Sequence, residues 1–538
     1  MVKKVFSVLF CILIIFINLS GCKKSKDAPE NQTIKYNLDN EPRTLDPQVC
    51  NDPSSNTVIM NIFEGLIRLD KKEKIIPGVA YSWEISDDKL TYTFHLRENA
   101  AWSDKEKTPV TAEDFVFGLQ RALDNYTKSP KANTLYCIKN ARKINIDGAN
   151  TDLLGVKAKD AHTLVIELEY PMENFLSLLA TPPTMPCNRA FFEKTNGQYG
   201  LESSTIMGNG AFKVKTRYGW DHYNTLNLVT NENYCGQNVP VPAGIAFTIG
   251  KDTSDTVNLI SNATIDAALL PSEEQINAAK SKKLPLTSFK DTLWALAFNT
   301  QDALFSNLDI RRGFLTALNR EHILSSIPEN FEVIDDIVLN GLTVNGQNFR
   351  DFAGKSLYLK ADSNAKNYLE AGINQLNLKA LPKVTILCPD TPAIKTIISN
   401  MIESLNANLG YYFNMEPLSE SNLKSRVASA NYQVAFLPVS AESQFALDFL
   451  SIFKSDNNKN IANLNSPDFD KILNNALSSK PQDSMNYLIA AEKYLNDNAI
   501  FYPMLVQNRF FAHSNKVSNL IFHNYNQGID FFSATKVK

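Results

Sequence analysis

Histidine is scarce in this 538-residue chain, with six in all: His95, His162, His222, His322, His513 and His523. None stands in an HExxH or His-x-His arrangement, so a zinc hydrolase has no ligand set to read. No G-x-S-x-G elbow, no GxxxxGK[ST] phosphate loop and no CxxC pair occurs. Gly208-Asn-Gly210 lacks the third glycine and the following helix of a dinucleotide site, and reads as a tight turn. The adjacent acids Asp87-Asp88 and Asp335-Asp336 would point to opposite faces of a strand, and are expected as solvated loop charges. No catalytic set, metal site or cofactor site is therefore expected. A basic excess is also missing. The 54 Lys and Arg against 57 Asp and Glu give −3, which excludes a general nucleic-acid binder. No internal repeat or low-complexity segment occurs, and after residue 21 no apolar run is long enough to span a bilayer.

What is present is an ordinary folded composition, 44% hydrophobic and 21% charged. The length predicts about three to four domain-sized units. The N-terminus carries the clearest signal. Lys3 and Lys4 precede a nearly unbroken apolar run over residues 5–19. As a helix that run covers only ~22 Å, short for a ~30 Å bilayer core but right for a signal peptide. It ends in Leu19-Ser20-Gly21-Cys22, which resembles the bacterial lipobox, where cleavage precedes the cysteine and its thiol carries lipid. The alternative is an ordinary signal peptide or an anchor helix that happens to end in cysteine. Losing residues 1–21 removes two lysines and no acid, leaving 52 bases against 57 acids and a charge of −5. Residues 22–32 then form a polar, lipidated tether. Five cysteines remain (Cys50, Cys137, Cys187, Cys235 and Cys388), odd in number and widely spaced, so no disulfide framework is expected.

The periodicities alternate between strand and helix. Strands are expected at residues 34–38, 91–96, 163–168, 293–298, 384–387 and 434–437, with a hairpin joining Val214 to residues 226–229. Pro438 is expected to end the strand before it. Helices are expected at residues 54–63, after a Thr111 cap with Asp114 at its third position, after an Asp309 cap, and after Ser466-Pro467-Asp468. Mixed elements at this spacing argue α/β.

Several ordered motifs resemble the family 5 extracellular solute-binding proteins, the oligopeptide- and dipeptide-binding group. They are Glu41-Pro-Arg-Thr-Leu-Asp-Pro47, Ala80-Tyr-Ser-Trp83, Tyr92-Thr-Phe-His-Leu-Arg97, Ala101-Trp-Ser-Asp104 and Pro109-Val-Thr-Ala-Glu-Asp-Phe-Val116. Gly208-Asn-Gly-Ala-Phe-Lys-Val214, the region from Asn299 through Arg311-Arg312 to Arg320, and Ser466-Pro-Asp-Phe-Asp470 continue the order, so the likeness covers residues 33–535. The resemblance implies a type II periplasmic-binding-protein fold, a two-lobe hinged trap with an additional inserted domain. Lobe I would comprise residues 33–63, 197–290 and 500–538, the inserted domain 64–196, and lobe II 291–499. Of the Arg311-Arg312 pair, one side chain is expected to bridge the lobes.

The resemblance also implies a site. The family's acid for a peptide amino terminus sits in a W-C-A-D-Y-like segment, and an ungapped count back from Ser466 places Val439, Ser440, Ala441, Glu442 and Ser443 there. Glu442 replaces the aspartate and Val439 the tryptophan, which departs from the family pattern. An early pocket residue falls at Asn51, beside Asp52. The implied function is non-enzymatic: a monomer, lipid-anchored through Cys22 on the outer side of the cytoplasmic membrane, that captures peptides and passes them to the permease subunits of an ABC transporter. No nucleic acid is implied as partner. The alternatives are the same fold binding a nickel chelate, an oligosaccharide or a signalling peptide as a sensor, and an exported hydrolase.

Overall fold

The computed structural model describes residues 33–236, 238–250, 255–270, 272–325, 327–355, 360–410, 412–441, 443–457, 459–479, 481–523 and 528–537. The signal segment, the tether with Cys22, and Glu442 lie outside the described residues.

One large sheet organises the chain. Its main strands, in chain order, are β1 (Thr33–Leu38), β2 (Phe212–Val214), β3 (Thr225–Thr230), β4 (Gly244–Ile249), β5 (Ala267–Leu269), β6 (Leu286–Phe298), β7 (Val384–Pro389), β8 (Phe413–Leu418), β9 (Val434–Ser440) and β10 (Phe501–His513). They lie in the order β8-β7-β9-β6-β10-β5-β1-β4-β3-β2, and two short strands at Trp220–Asp221 and Phe331–Val333 complete the sheet at its sides. A separate four-stranded antiparallel sheet is built from Ala80–Ile85, Thr91–Leu96, Thr163–Glu167 and Val156–Asp160.

The 13-residue strands β6 and β10 pair antiparallel and run through both halves of the large sheet. At ~3.3 Å per residue each spans about 43 Å. Only the apolar end of β6 was legible as a strand. Residues 286–290 mix polar and apolar side chains and are partly or fully exposed, because there the sheet is covered on fewer sides, and the buried polar pair Asp291 and Thr292 interrupts the apolar run. From Leu293 on, every β6 residue is buried: Leu293, Ala295 and Ala297 face one core, and Trp294, Leu296 and Phe298 face another. A third core joins the small sheet to β1, β3 and β4, with Trp102, Phe94 and Phe247 among its members.

The chain enters the small-sheet region after the helix Pro53–Ile62 and returns through Gly208-Asn209-Gly210, and the two passages are stitched together. Asn209 Oδ1 accepts from Glu64 N (3.0 Å), while its Nδ2 donates to Glu64 O (2.9 Å). A Cβ on Gly208 would stand 1.9 Å from Ile62 O, so only glycine lets the passages touch.

Three expectations are corrected. Strand β9 does not end at Pro438 but continues to Ser440, because β7 pairs it only at Val434 and Ala435 and leaves an edge where the missing N–H costs nothing. Asn307, not Asp309, caps the helix Leu308–Thr316: its Oδ1 accepts from Ile310 N at 3.1 Å, and Arg320 opens a separate short helix. The Arg311-Arg312 pair makes its contacts within residues 291–499: Arg312 donates to the carbonyl of Asp497 (3.2 Å), and Arg311 does not bridge lobes. It is buried and donates to the carbonyls of Phe305 (2.6 Å) and Asn498 (2.9 Å) in its own half. All five described cysteines are free and buried. Among the described residues no helix is long and apolar enough to cross a membrane.

Candidate functional site

Strand direction locates the cleft. β1, β4 and β5 run parallel, and β5 is antiparallel to β10, with Leu269 opposite Phe511. β7, β8 and β9 also run parallel, and β9 is antiparallel to β6, with Ser440 opposite Thr292. Both sets therefore aim their carboxyl ends at the same middle stretch of β6 and β10. In open α/β sheets the carboxyl edge is where backbone leaves the sheet and ligands lodge. Here two such edges face each other.

The middle stretch carries a register break between Phe289 and Thr292. Asp291 sits in the break, 2% exposed, and Arg509 of β10 reaches both of its carboxylate oxygens, with Nε at 2.9 Å from Oδ1. The backbone carbonyl of Asp291 accepts from Ala441 N (2.8 Å), and Thr292 Oγ1 meets Ser440 Oγ at 2.9 Å. The end of β9 is thus pinned to the crossing point.

The structure brings Val439, Ser440, Ala441 and Ser443 to that edge. Val439 and Ala441 are buried, and Ser440 and Ser443 are half-buried. Asn51 and Asp52 sit on the other half, where Asn51 is exposed. Asp52 caps the helix Pro53–Ile62: Oδ1 accepts from Ser55 N (2.8 Å) and Oδ2 from Ser55 Oγ (2.6 Å), so its carboxylate is engaged structurally. Among the described residues, no hydrogen bond joins Asn51 or Asp52 to Val439, Ser440, Ala441 or Ser443.

Motif matching did not find Asp39. It follows β1 at the carboxyl edge and is exposed, yet desolvation by its surroundings holds its carboxyl above the usual range. Arg509 and Asp39 both act on buried Tyr36, whose hydroxyl desolvation pushes well up. An acid directly after a period-two strand was the available signal, and nothing in linear spacing distinguishes it from an ordinary turn residue. A separate polar depression of about 450 Å³ involves Asn299, Thr385, Glu416, Arg426 and Gln433. It lies toward the amino ends of β7 and β9, away from the facing edges. The arrangement offers two strand edges and the exposed carboxylate of Asp39 to a bound molecule. Among the described residues no group of three metal-ligating side chains occurs.

The comparisons agree with this geometry. The family model for bacterial extracellular solute-binding proteins, family 5, matches residues 74–461. The dipeptide-binding protein DppE of Bacillus subtilis is 27% identical over 506 residues, 93% of this chain and 91% of that protein. The substrate-binding domain of an oligopeptide ABC transporter from Bacillus anthracis superposes with a TM-score of 0.80 at 25% identity, covering 94% of this chain and 99% of that one. The murein tripeptide binding protein MppA of Escherichia coli gives 0.79 at 24% identity, over 95% of this chain and 99% of that one. The unliganded open form of MppA gives 0.68 over the same shares. With its two halves hinged on β6 and β10 in the type II periplasmic-binding fold, this chain belongs to the family 5 bacterial extracellular solute-binding proteins, which bind their solutes rather than transform them.

Proposed function

We propose that this protein captures peptides between its lobes outside the cytoplasmic membrane and hands them to an ABC importer, held at the surface by lipid on Cys22. The observation that carries the reading is the outer edge of β9. Among the described residues it has no strand partner beyond Ala435, and it runs on to Ser440 at the facing edges. An extended peptide offers one constant feature, its backbone, and a free strand edge pairs with it whatever the side chains are. The names of the relatives, dipeptide-binding and oligopeptide-binding, point the same way.

Asn51, Val439, Ser440, Ala441 and Ser443 would line the cleft, and Glu442 would meet the peptide ammonium. The division would follow the expected one, with lobe I at residues 33–63, 197–290 and 500–538, the inserted domain at 64–196 and lobe II at 291–499, except that Phe501, Tyr502, Met504, Leu505 and Val506 pack in the same cores as Leu293 to Phe298 of β6, which moves the last boundary from residue 500 into the middle of β10. The Asn209–Glu64 stitch at the entry and exit of the insertion supports that division. The protein would act as a monomer.

Native mass spectrometry of protein released gently from cells tests the reading. Bound peptides of mixed sequence are expected. Calorimetry with equal-length peptides of varied sequence should then give affinities within a narrow range. Absence of bound peptide together with absence of affinity for the panel would overturn it. Affinity for one sequence alone would point to a sensory role. Cys22→Ala should leave the protein uncleaved or released, and normal membrane partitioning of that variant would remove the lipid anchor from the proposal.

A further inference from the structure

Residues far apart in sequence meet across the mouth of the cleft. Glu173 and Asn174 lie before the helix Phe175–Leu178 in the small-sheet region. Opposite them is a hairpin, Thr343–Val344 paired with Gln347–Asn348, turned by Asn345 at φ 52 and Gly346 at φ 73. Positive φ at both central positions is the signature of a type I′ turn, which turns backbone N–H groups outward. Glu173 Oε2 accepts from Asn345 N at 2.5 Å, and the Gly346 N–H also bonds its carboxylate.

The neighbouring residue makes the second contact. Asn174 Nδ2 donates to Asp448 Oδ2 at 2.8 Å, and Asn174 is only 6% exposed. The same Asp448 oxygen accepts from Ser443 Oγ. Ser443 Oγ in turn accepts from Phe445 N at 3.1 Å, which sets the loop that follows β9. The two receiving loops are themselves joined, since Thr343 N donates to Gln444 O at 2.6 Å. One carboxylate thus links the loop that carries Ser443 to the opposite side of the cleft.

We infer that Asp448 is a positioning residue that makes closure of the lobes depend on how the end of β9 and Ser443 are seated, by sharing its carboxylate between Ser443 and Asn174 across the cleft. The inference rests on the proposed reading that solute lies against this segment. When the segment is correctly seated, Ser443 presents Asp448 to Asn174, and Glu173 caps the hairpin turn beside it. When the segment is displaced, the carboxylate turns away, and Asn174 loses a charge-assisted partner as the mouth opens. Hydrogen bonds to a charged acceptor are strong enough for this to show as an off-rate change of about tenfold.

The test uses Asp448→Asn, Asn174→Ala and, as control, the exposed Lys424→Ala. The probe is an equimolar library of alanine di- to pentapeptides. Contraction is read by small-angle scattering and release by stopped-flow tryptophan fluorescence. Wild type and control should contract. Asp448→Asn and Asn174→Ala should contract less and release peptide about tenfold faster, with association unchanged. Contraction and release equal to wild type in both variants overturn the inference. If wild type itself does not respond to the library, the peptide reading falls, and amide exchange of Asn345 and Gly346 in solute-free protein decides the clasp alone. Faster exchange in Asn174→Ala and Asp448→Asn supports it. Unchanged exchange overturns it.

Discussion

Arg509 and Asp291 form an ion pair across the register break at which β6 and β10 pass from one lobe to the other. Asp291 is almost fully buried and Arg509 about one-fifth exposed, so the pair is desolvated mainly on the acid side. Asp291→Asn would leave the guanidinium beside a neutral amide at the hinge. Removing one partner of a buried pair costs about 3 kcal/mol. Urea denaturation followed by tryptophan fluorescence should show a loss of that order. A loss under about 1 kcal/mol would mean that water screens the pair and that the hinge does not depend on it.

Ligand charge recognition gives the second expectation. Glu442→Gln keeps shape and removes charge. Pairing with a desolvated peptide ammonium predicts a loss of about 3–5 kcal/mol, and a solvent-exposed acid at most about 1 kcal/mol. Calorimetry of a free-amine peptide and its N-acetylated twin on both proteins separates these. Asp39→Asn should weaken lysine-bearing peptides more than their alanine counterparts, because its exposed carboxylate stands at the carboxyl end of β1, on the edge that faces the other lobe. Equal losses for both peptides would remove Asp39 from the site.

Glycine contacts supply a third. Gly208→Ala puts a methyl 1.9 Å from Ile62 O, a backbone atom that cannot swing aside. Gly197, at φ +82, has nothing within 4 Å of such a methyl, so Gly197→Ala meets only backbone strain. The expected costs are about 3 kcal/mol or more for the first and about 1 kcal/mol for the second. Comparable midpoints in chemical denaturation would contradict the close passage at Ile62.

The fourth concerns pH. Burial pushes the Asp114 carboxyl up to about 6, even though it accepts from Thr111 N (2.8 Å) at the start of the helix Ala112–Leu123. A folded-state value above the unfolded one near ~3.9 means that folding takes up a proton. The contribution is fully present below about pH 4 and is lost as pH rises through about 6. It amounts to about 3 kcal/mol. Asp114→Asn cannot titrate, so the stability of wild type relative to this variant should fall across that window. A flat difference between pH 4 and 7 would show that Asp114 ionises freely in the fold.

Local rules were read well where local physics decides. The Ser466 cap is an example, with its Oγ accepting from Phe469 N at 3.2 Å ahead of Pro467. The period-two strand Thr91–Leu96 is another. The Asp309 cap failed by two residues because Asn307 competes for the same orphan N–H groups and lies in extended backbone. Pro438 failed as a strand end because sequence does not say on which side a strand lacks a partner. Arg311 failed as a lobe bridge because nothing local tells a guanidinium whose carbonyls it will meet.

By itself the sequence determined the family, through motifs whose order is preserved, and the absence of any recognisable catalytic spacing. It also determined several of the strands and helices, those whose periodicity or capping is set within a few residues. Only the tertiary structure decided that two sets of parallel strands aim their carboxyl ends at one another, that Asp291 and Arg509 meet where the lobes join, and that Asn174 and Ser443 share Asp448. These partners stand 218, 274 and 5 residues apart in the chain. The two long-range contacts are chosen by strand order and register, which depend on the burial of the whole core and leave no trace in a local window, and the five-residue contact matters only because Asn174 meets the same carboxylate.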